Sequence, residues 1–231
     1  MLHFMTMKPS PSPLGTRRYA VIGDLVASRA AESRSVAQRD LLTALARVND
    51  LVGHEQALEP TIGDEFQSVH TSLSEALHAA ALVRCALPEG MDARCGIGIG
   101  GLEIVGESAY GLTQDGPAWW SARAAVDEVK DRQRRLPALR TWVMDGTGHD
   151  PAGATEKETV DLVNAYLLCR DEVLSALDAR QRRIVLGLVE GRTHAEIARS
   201  EGISPSAVSQ RVRRGGIASL VESLGLVPAT S

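Results

Sequence analysis

The chain has 231 residues, of which 44% are hydrophobic and 23% charged, and its formal net charge is −4 at pH 7. This length allows a buried core and a small second domain, and the composition is typical of a globular protein. No apolar run approaches the roughly 20 residues of a membrane-spanning helix, so no membrane partner is expected. The acidic balance excludes a uniformly basic nucleic-acid binder, so any DNA contact requires a local basic surface.

The N-terminal segment indicates the compartment. Residues 8–13 alternate proline with serine after a lysine, and residues 1–16 lack the apolar core of a signal peptide. We therefore expect a disordered leader over 1–16 and a cytoplasmic protein.

The cysteines Cys85, Cys95 and Cys169 stand singly without metal-ligand spacing, and we expect all of them to be buried small hydrophobic residues.

A first domain is predicted over residues 17–146. Hydrophobic periodicity predicts strands over 17–26, 57–62, 66–70, 92–100 and 139–144, helices over 35–52, 73–87 and 117–132, and a glycine-punctuated loop over 101–116. The element order is then β-α-β-β-α-β-α-β. Strands interleaved with helices, with one hairpin among them, predict an α+β fold with a mixed sheet covered by helices.

Two acidic positions in this domain indicate a metal site. Residues 61–67 form a tight hairpin in the prediction, with Asp64 at its tip, and Asp24 follows the apolar strand 19–23. If that strand lies beside the hairpin, Asp24 and Asp64 can share one or two Mg²⁺ ions. Glu65 is either a third metal ligand or a solvated turn residue.

The strand over 92–100 carries glycine at every second position near its end. Gly96, Gly98 and Gly100 leave one face of the strand without side chains. This pattern indicates that something approaches the backbone closely. The two alternatives are a packed helix and a bound ligand.

The C-terminal third is predicted to be helical. Residues 145–153 form a turn-rich linker and 155–176 a connecting helix. Capping-box patterns at 178–181 and 193–196, a turn at Gly202, and Ser204 before a proline then predict short helices over 177–226. Three short capped helices with a glycine turn before the last predict an all-α helix-turn-helix domain.

The last of these helices is the candidate DNA-reading element. Ser206, Ser209, Gln210 and Arg213 are predicted to reach base edges, while Arg211 and Arg214 are placed for phosphates. The alternative is a helix-turn-helix used only for dimerisation or protein contact. Because one such module makes few phosphate contacts, specific binding is expected to require a homodimer.

Several motifs together resemble known families. The first domain contains Gly23-Asp24-Leu25-Val26, Thr61-Ile62-Gly63-Asp64-Glu65-Phe66, Arg94-Cys95-Gly96-Ile97-Gly98-Ile99-Gly100-Gly101, Tyr110-Gly111 and Ala122-Arg123. Their order resembles class III nucleotidyl cyclases, and the hairpin resembles GGDEF diguanylate cyclases, which implies a palm-like (ferredoxin-like) fold. Segments 193–198 and 202–212 resemble LuxR-type regulators and sigma-factor region four. The whole chain most resembles the SatD family.

The cyclase resemblance implies roles for individual residues. Asp24 and Asp64 match the metal-binding aspartates, the carbonyl of Leu25 matches a backbone metal ligand, and Arg123 matches the arginine that stabilises charge on the phosphoryl group. The turn that holds a triphosphate matches Val26, Ala27, Ser28 and Arg29. The implied cofactors are Mg²⁺ or Mn²⁺ with a nucleoside triphosphate or cyclic nucleotide as ligand.

Two positions depart from the cyclase pattern. Pro60 replaces a base-reading lysine and Trp119 replaces an asparagine, which implies weakened catalysis, another substrate, or binding without turnover. For Trp119 and Trp120 the alternatives are core packing or a dimer contact on one side and base stacking on the other.

The sequence thus predicts a dimeric, DNA-binding transcription regulator whose cyclase-like domain binds Mg²⁺ and a nucleotide. The rival prediction is an active nucleotidyl cyclase, or a related phosphoryl-transfer enzyme, that is targeted by its helix-turn-helix. A third is a palm domain that serves only as a dimerisation scaffold.

Overall fold

The computed structural model describes residues 17–26, 34–61, 63–108, 111–146 and 153–226. The strands are β1 (Arg18–Val26), β2 (Gln56–Pro60), β3 (Glu65–His70), β4 (Asp92–Gly100), β5 (Glu103–Ser108), β6 (Gly111–Asp115) and β7 (Thr141–Asp145). The helices are α1 (Arg34–Asn49), α2 (Leu73–Ala86), α3 (Pro117–Arg132), α4 (Gly153–Ser175), α5 (Ala179–Val189), α6 (His194–Glu201), α7 (Pro205–Arg214) and α8 (Ile217–Leu226). The leader 1–16, Ala27, Ser28 and Arg29 of the predicted phosphate turn, and most of the linker 145–153 lie outside the described residues.

The main sheet has the strand order β2-β3-β1-β4-β7. β1 is antiparallel to β3 and β4, and β7 is parallel to β4, which confirms the predicted mixed sheet with covering helices. β1 is central and buried from Ala20 to Leu25. Successive side chains point to opposite faces: Val21 packs into the core with α1 and α2, while Ala20 and Ile22 pack against α3.

The glycine face of β4 lies directly beneath α3. A Cβ atom at Gly98 would stand 2.0 Å from the carbonyl oxygen of Ala118 and 2.2 Å from the nitrogen of Ala122, and one at Gly96 would stand 2.2 Å from the Ala122 carbonyl oxygen. These distances leave no room for a side chain. Of the two alternatives for this face, helix packing is the one that the structure contains.

One stretch of the sequence prediction was wrong. Residues 101–116 do not form a plain loop, because β5 and β6 pair as a separate two-stranded antiparallel sheet. Ile104 and Val105 on β5 are 64% and 58% exposed, so this hairpin is an arm outside the core rather than part of the main sheet. Short strands with exposed apolar residues give little periodic signal, which is why the glycines dominated the prediction.

The edge of β7 is covered by α4. Asn164 Oδ1 accepts a hydrogen bond from Val143 N (2.9 Å) and its Nδ2 donates one to Val143 O (3.0 Å). Asp171 Oδ2 accepts bonds from Arg140 N (2.7 Å) and Thr141 N (2.6 Å). These side chains satisfy backbone groups of an edge strand that would otherwise be left unpaired, so α4 is fixed to the sheet.

The C-terminal helices begin at the predicted caps. Asp178 and Thr193 form capping boxes, Ser204 caps α7, and Gly202 adopts a left-handed conformation with φ 65° between α6 and α7. One boundary was missed, because a turn at 215–216 separates α7 from α8. The interior residues of α5 to α8 belong to the same core cluster as α2. Among the described residues, no helix is both long and apolar enough to cross a membrane.

Candidate functional site

A row of charged residues crosses the sheet at the end of β1. Strand register places Asp24 of β1 opposite Glu65 of β3 on one side and opposite Arg94 of β4 on the other. Their side chains share the face that α3 covers, because directly opposed residues of antiparallel strands point the same way. α3 adds Arg123 and Lys130 over this row.

Both carboxylate oxygens of Asp24 are engaged by cations. Arg94 Nε donates to Oδ1 at 2.8 Å, and Lys130 Nζ lies 3.0 Å from Oδ2. The Asp24 side chain is only 10% exposed, and Arg94 Nη1 also donates to Gln133 Oε1 at 3.2 Å. Asp24 therefore joins β1, β4 and α3 through charge-assisted hydrogen bonds.

Asp64 lies in the turn that precedes β3, next to Leu25 of β1. The Leu25 amide donates to the Asp64 carbonyl at 3.2 Å, and the Thr61 amide donates to the Glu65 carbonyl at 2.8 Å across the turn. Gly63 adopts a left-handed conformation with φ 81°. The Asp64 side chain is exposed.

Glu65 and Arg123 form a bidentate ion pair. Arg123 Nη1 and Nη2 donate to the two carboxylate oxygens of Glu65 at 2.7 and 2.9 Å. Hydrogen bonding from Arg123 holds the pKa of Glu65 below its ordinary value, and the same contact raises the pKa of Arg123. In this arrangement both carboxylate oxygens of Glu65 are bonded to Arg123, and both terminal nitrogens of Arg123 are bonded to Glu65.

The donor set around Asp24 does not fit a divalent cation in this arrangement. A metal ion on either Asp24 oxygen would lie beside the positive charges of Arg94 or Lys130 and would have to displace them. Among the described residues, no group of three His, Cys, Asp or Glu side chains is arranged to hold a metal. The structure does not support the magnesium site predicted for Asp24, Asp64 and the carbonyl of Leu25.

A cleft of about 540 Å³ opens next to the charged row, between the sheet, α3 and the β5–β6 arm. Its lining is Ile22, Gln56, Gln67, Gln114, Trp119, Trp120 and Arg123. Trp119 packs against Ala20 and Ile22, whereas Trp120 is 61% exposed and its indole N–H donates to Asp115 Oδ1 at 2.7 Å. The core-packing interpretation therefore holds for Trp119 and not for Trp120.

The cleft contains polar atoms without partners. Gln114 Oε1 and Trp119 Nε1 are buried and have no hydrogen-bond partner among the described residues. A buried polar atom left unpaired costs free energy, on the order of 1–3 kcal/mol, so such atoms are uncommon in folded proteins. Gln114 and Trp119, which both line the cleft, therefore each carry one buried polar atom that the described residues leave unsatisfied.

Sequence reasoning missed the partners of the predicted residues. Arg94 and Lys130 were not singled out, although a basic residue within an otherwise small and apolar strand is a signal that could have identified Arg94. The glutamines at 56, 67 and 114 carry no such signal, because polar residues on short strands are ordinary. Only the fold brings them to one cleft.

The predicted DNA-reading helix α7 carries a basic outer face. Ser206, Gln210, Arg213 and Arg214 are exposed, while Arg211 and Ser209 are half-buried. Ser209 Oγ lies 2.9 Å from His194 Nδ1 of α6, so Ser209 is tied to the neighbouring helix and is not free for a base edge.

The arginines of α7 differ from those on α5 in their ion pairing. Arg180 and Arg183 both pair with Glu201. Within the described part of the chain, no carboxylate pairs with an arginine in the last turn of α7. The cationic groups of α7 are therefore available to an external anion.

The chain matches the model of the SatD family over residues 18–222. The protein belongs to the SatD family. A comparison with functionally curated proteins gives no match.

Three solved structures similar to this SatD-family chain are named as cyclases. A bacterial light-regulated adenylyl cyclase has 14% identity and a TM-score of 0.45, with 64% of this chain and 81% of that chain covered. The adenylyl cyclase CyaB from P. aeruginosa has 11% identity and a TM-score of 0.37, with coverages of 48% and 71%. The guanylyl cyclase domain of the RhoGC fusion protein from the aquatic fungus Blastocladiella emersonii has 14% identity and a TM-score of 0.36, with 50% of this chain and 75% of that chain covered. TM-scores below 0.5 say nothing about activity.

Proposed function

We propose that this SatD-family protein is a DNA-binding transcription regulator whose palm-like part senses a nucleotide-class ligand. The single observation that carries the proposal is the outer face of α7. Arg211, Arg213 and Arg214 lack carboxylate partners among the described residues, and Ser206 and Gln210 are exposed beside them. Exposed amide, hydroxyl and guanidinium groups on one short helix suit base edges and phosphates.

The way in which α6 and α7 are joined supports the same function. Gly202 and the Ser204 cap connect them through a three-residue turn over 202–204, and Val208 of α7 is buried against the helices behind it. This connection resembles a helix-turn-helix, in which the second helix enters the major groove. Dimerisation is part of the proposal, because one module makes few phosphate contacts.

Asp24 and Arg123 favour sensing over catalysis. Each is held by protein groups of opposite charge, Asp24 by Arg94 and Lys130 and Arg123 by Glu65. A catalytic metal and a phosphoryl group would need those charges free. The rival function, an active nucleotidyl cyclase, requires that a ligand break both sets of ion pairs.

DNA binding is tested by gel shift and by fluorescence anisotropy with DNA selected from a random pool. Arg213→Ala should weaken binding to the selected sequence by about 1–3 kcal/mol if the guanidinium contacts a base, and Arg214→Ala should lower the salt slope by about one unit if it contacts a phosphate. Arg134→Ala is the matched control, since Arg134 is an exposed arginine with 82% of its side chain accessible. Equal DNA affinity in all three variants would remove the proposal.

Catalysis is tested separately. Purified protein is incubated with each nucleoside triphosphate and Mg²⁺ or Mn²⁺, and the products are separated by chromatography. We expect no cyclic product. A product that forms with the parent protein and is lost in Asp64→Ala would establish the enzyme in place of the sensor.

A further inference from the structure

The cleft between the sheet, α3 and the β5–β6 arm has the chemistry of a binding site. It is lined by two indoles, three glutamines, Ile22 and Arg123. Apart from Arg123, none of the residues that the cyclase resemblance assigned to a metal or a phosphate lines it. Clefts of roughly 300–1,000 Å³ with apolar walls and a few polar groups are typical small-molecule sites, and this one, at about 540 Å³, lies within that range.

The charge of the cleft restricts the ligand. Among the described residues that line it, Arg123 is the only cationic side chain, and its guanidinium is held by both oxygens of Glu65. The lining therefore offers no unpaired positive group to an anion. The lining is therefore better suited to an uncharged group than to an anion.

The polar atoms of the cleft restrict the ligand further. Gln114 Oε1 requires a donor and Trp119 Nε1 requires an acceptor. Gln67 and Gln56 offer further amide groups from β3 and β2, and Gln67 lies opposite Ile22 in the strand register. A ligand edge that carries both a donor and an acceptor matches these groups.

The aromatic residues supply the third restriction. Trp120 is 61% exposed although its indole N–H is bonded to Asp115, so an apolar ring face remains in contact with solvent at the cleft. Indole faces stack on planar heterocycles, and nucleobases stack on aromatic side chains whatever their sequence. An uncharged planar ring with paired donor and acceptor groups on its edge is the description of a nucleobase.

We propose that the cleft lined by Trp119, Trp120, Gln67 and Gln114 is a nucleobase-binding site, so that a nucleoside without phosphates is a sufficient ligand. The inference deepens the sensing half of the proposed function and rests on it. It assigns the recognition of the base to the tryptophans and glutamines. The row of charged residues at Asp24 and Glu65 lies beside the site and holds the strands and α3 together.

The test uses the full chain with Trp142→Phe as its background. The chain has three tryptophans, so this substitution leaves Trp119 and Trp120 as the only indole fluorophores. Adenosine, guanosine, cytidine and uridine are titrated one at a time, together with their triphosphates. Indole is a planar probe with a single donor, and its affinity is measured by calorimetry because indole itself fluoresces. Quenching by at least one nucleoside, with a dissociation constant below about 1 mM and at least tenfold below that of indole, is the expected result.

Two substitutions distinguish a ligand site from ordinary packing. Gln114→Leu and Trp119→Phe each remove one unpartnered polar atom, so nucleoside affinity should fall at least fivefold in both. The ligand-free melting temperature should rise in Gln114→Leu, whereas Trp119→Phe also loses packing against the core cluster. Trp120→Ala should weaken affinity by about 5- to 150-fold through lost stacking. The control is Gln38→Leu, because Gln38 belongs to α1 on the opposite face of the sheet, and it should leave nucleoside affinity unchanged.

Three results would overturn the inference. They are binding of triphosphates without any nucleoside, binding of indole as tight as that of every nucleoside, and a lowered melting temperature with unchanged nucleoside affinity in Gln114→Leu. DNA binding is measured without nucleoside. A protein that binds its selected DNA and no nucleoside would thus lose this inference and keep its proposed function as a DNA-binding regulator.

Discussion

Asp24→Asn separates an ion-pair role from a metal-ligand role. The substitution removes the charge that Arg94 Nε meets at 2.8 Å and Lys130 Nζ at 3.0 Å. A hydrogen bond to a charged group contributes about 1.5–3 kcal/mol, and a surface ion pair about 0–1 kcal/mol. The Arg94 side chain is 20% exposed and that of Lys130 is 39% exposed. The larger contribution therefore applies to the bond from Arg94, and the smaller one to the ion pair with Lys130.

We expect Asp24→Asn to lower the free energy of unfolding by about 2–3 kcal/mol, since asparagine keeps one acceptor and loses both charge interactions. For a chain of this size, where 1 kcal/mol shifts the melting temperature by about 2–4 °C, it should fall by about 4–12 °C. The measurement is urea unfolding followed by circular dichroism, in EDTA and again in excess Mg²⁺. The loss should be the same in both buffers, because the ion pairs need no metal.

Asp64→Asn is the matched control. Asp64 lies on the adjacent strand end with an exposed carboxylate, so the substitution should change stability by less than about 0.5 kcal/mol. The reasoning is refuted if Asp24→Asn is as stable as the parent in EDTA. It is also refuted if Mg²⁺ stabilises the parent, by about 2.7 kcal/mol at a concentration one hundred times its dissociation constant, and stabilises neither variant.

Two further predictions follow from packing and burial. Gly98→Ala should lower the free energy of unfolding by about 3 kcal/mol or more, because the added Cβ would meet α3 backbone atoms at 2.0 and 2.2 Å. The control is Gly106→Ala, whose Cβ would have nothing within 4 Å. In the same urea titration this control should be nearly neutral. Burial raises the pKa of the Cys85 and Cys95 thiols to about 12, so both stay protonated at pH 8. A disulfide reagent should therefore modify only the exposed Cys169 in the folded protein. Two or three reactive thiols would contradict the burial of Cys85 and Cys95. Cys169 also corrects the expectation that all the cysteines are buried.

Much of the fold was predicted because its signals are local. The apolar run of β1, the periodicity of α2 and the caps of α5, α6 and α7 depend on neighbours within a few residues, and each element begins within one or two residues of its predicted position. The β5–β6 arm was missed because its two short strands bury little. Its stability depends on pairing rather than on an apolar face.

The candidate site was predicted only in part. β1 pairs with β3 of the predicted hairpin, because the hairpin and the central strand are each recognisable, but Asp24 lies opposite Glu65 and Asp64 lies in the turn. The sequence prediction assigned Glu65 to a metal ion or to solvent and Arg123 to a phosphoryl group, whereas the two side chains form an ion pair although they lie 58 residues apart in the sequence. An ion pair between β3 and α3 leaves no trace in the local sequence of either element.

The sequence by itself determined the chain order of the main-sheet strands and their covering helices, the caps of α5, α6 and α7 and the basic character of α7, since each follows from spacing within one element. Only the tertiary structure decided which charges neutralise one another and which polar atoms remain unpaired in the cleft. Electrostatic pairing and burial depend on distances between residues far apart in the chain. The packing of α3 on the glycine face of β4 sets those distances.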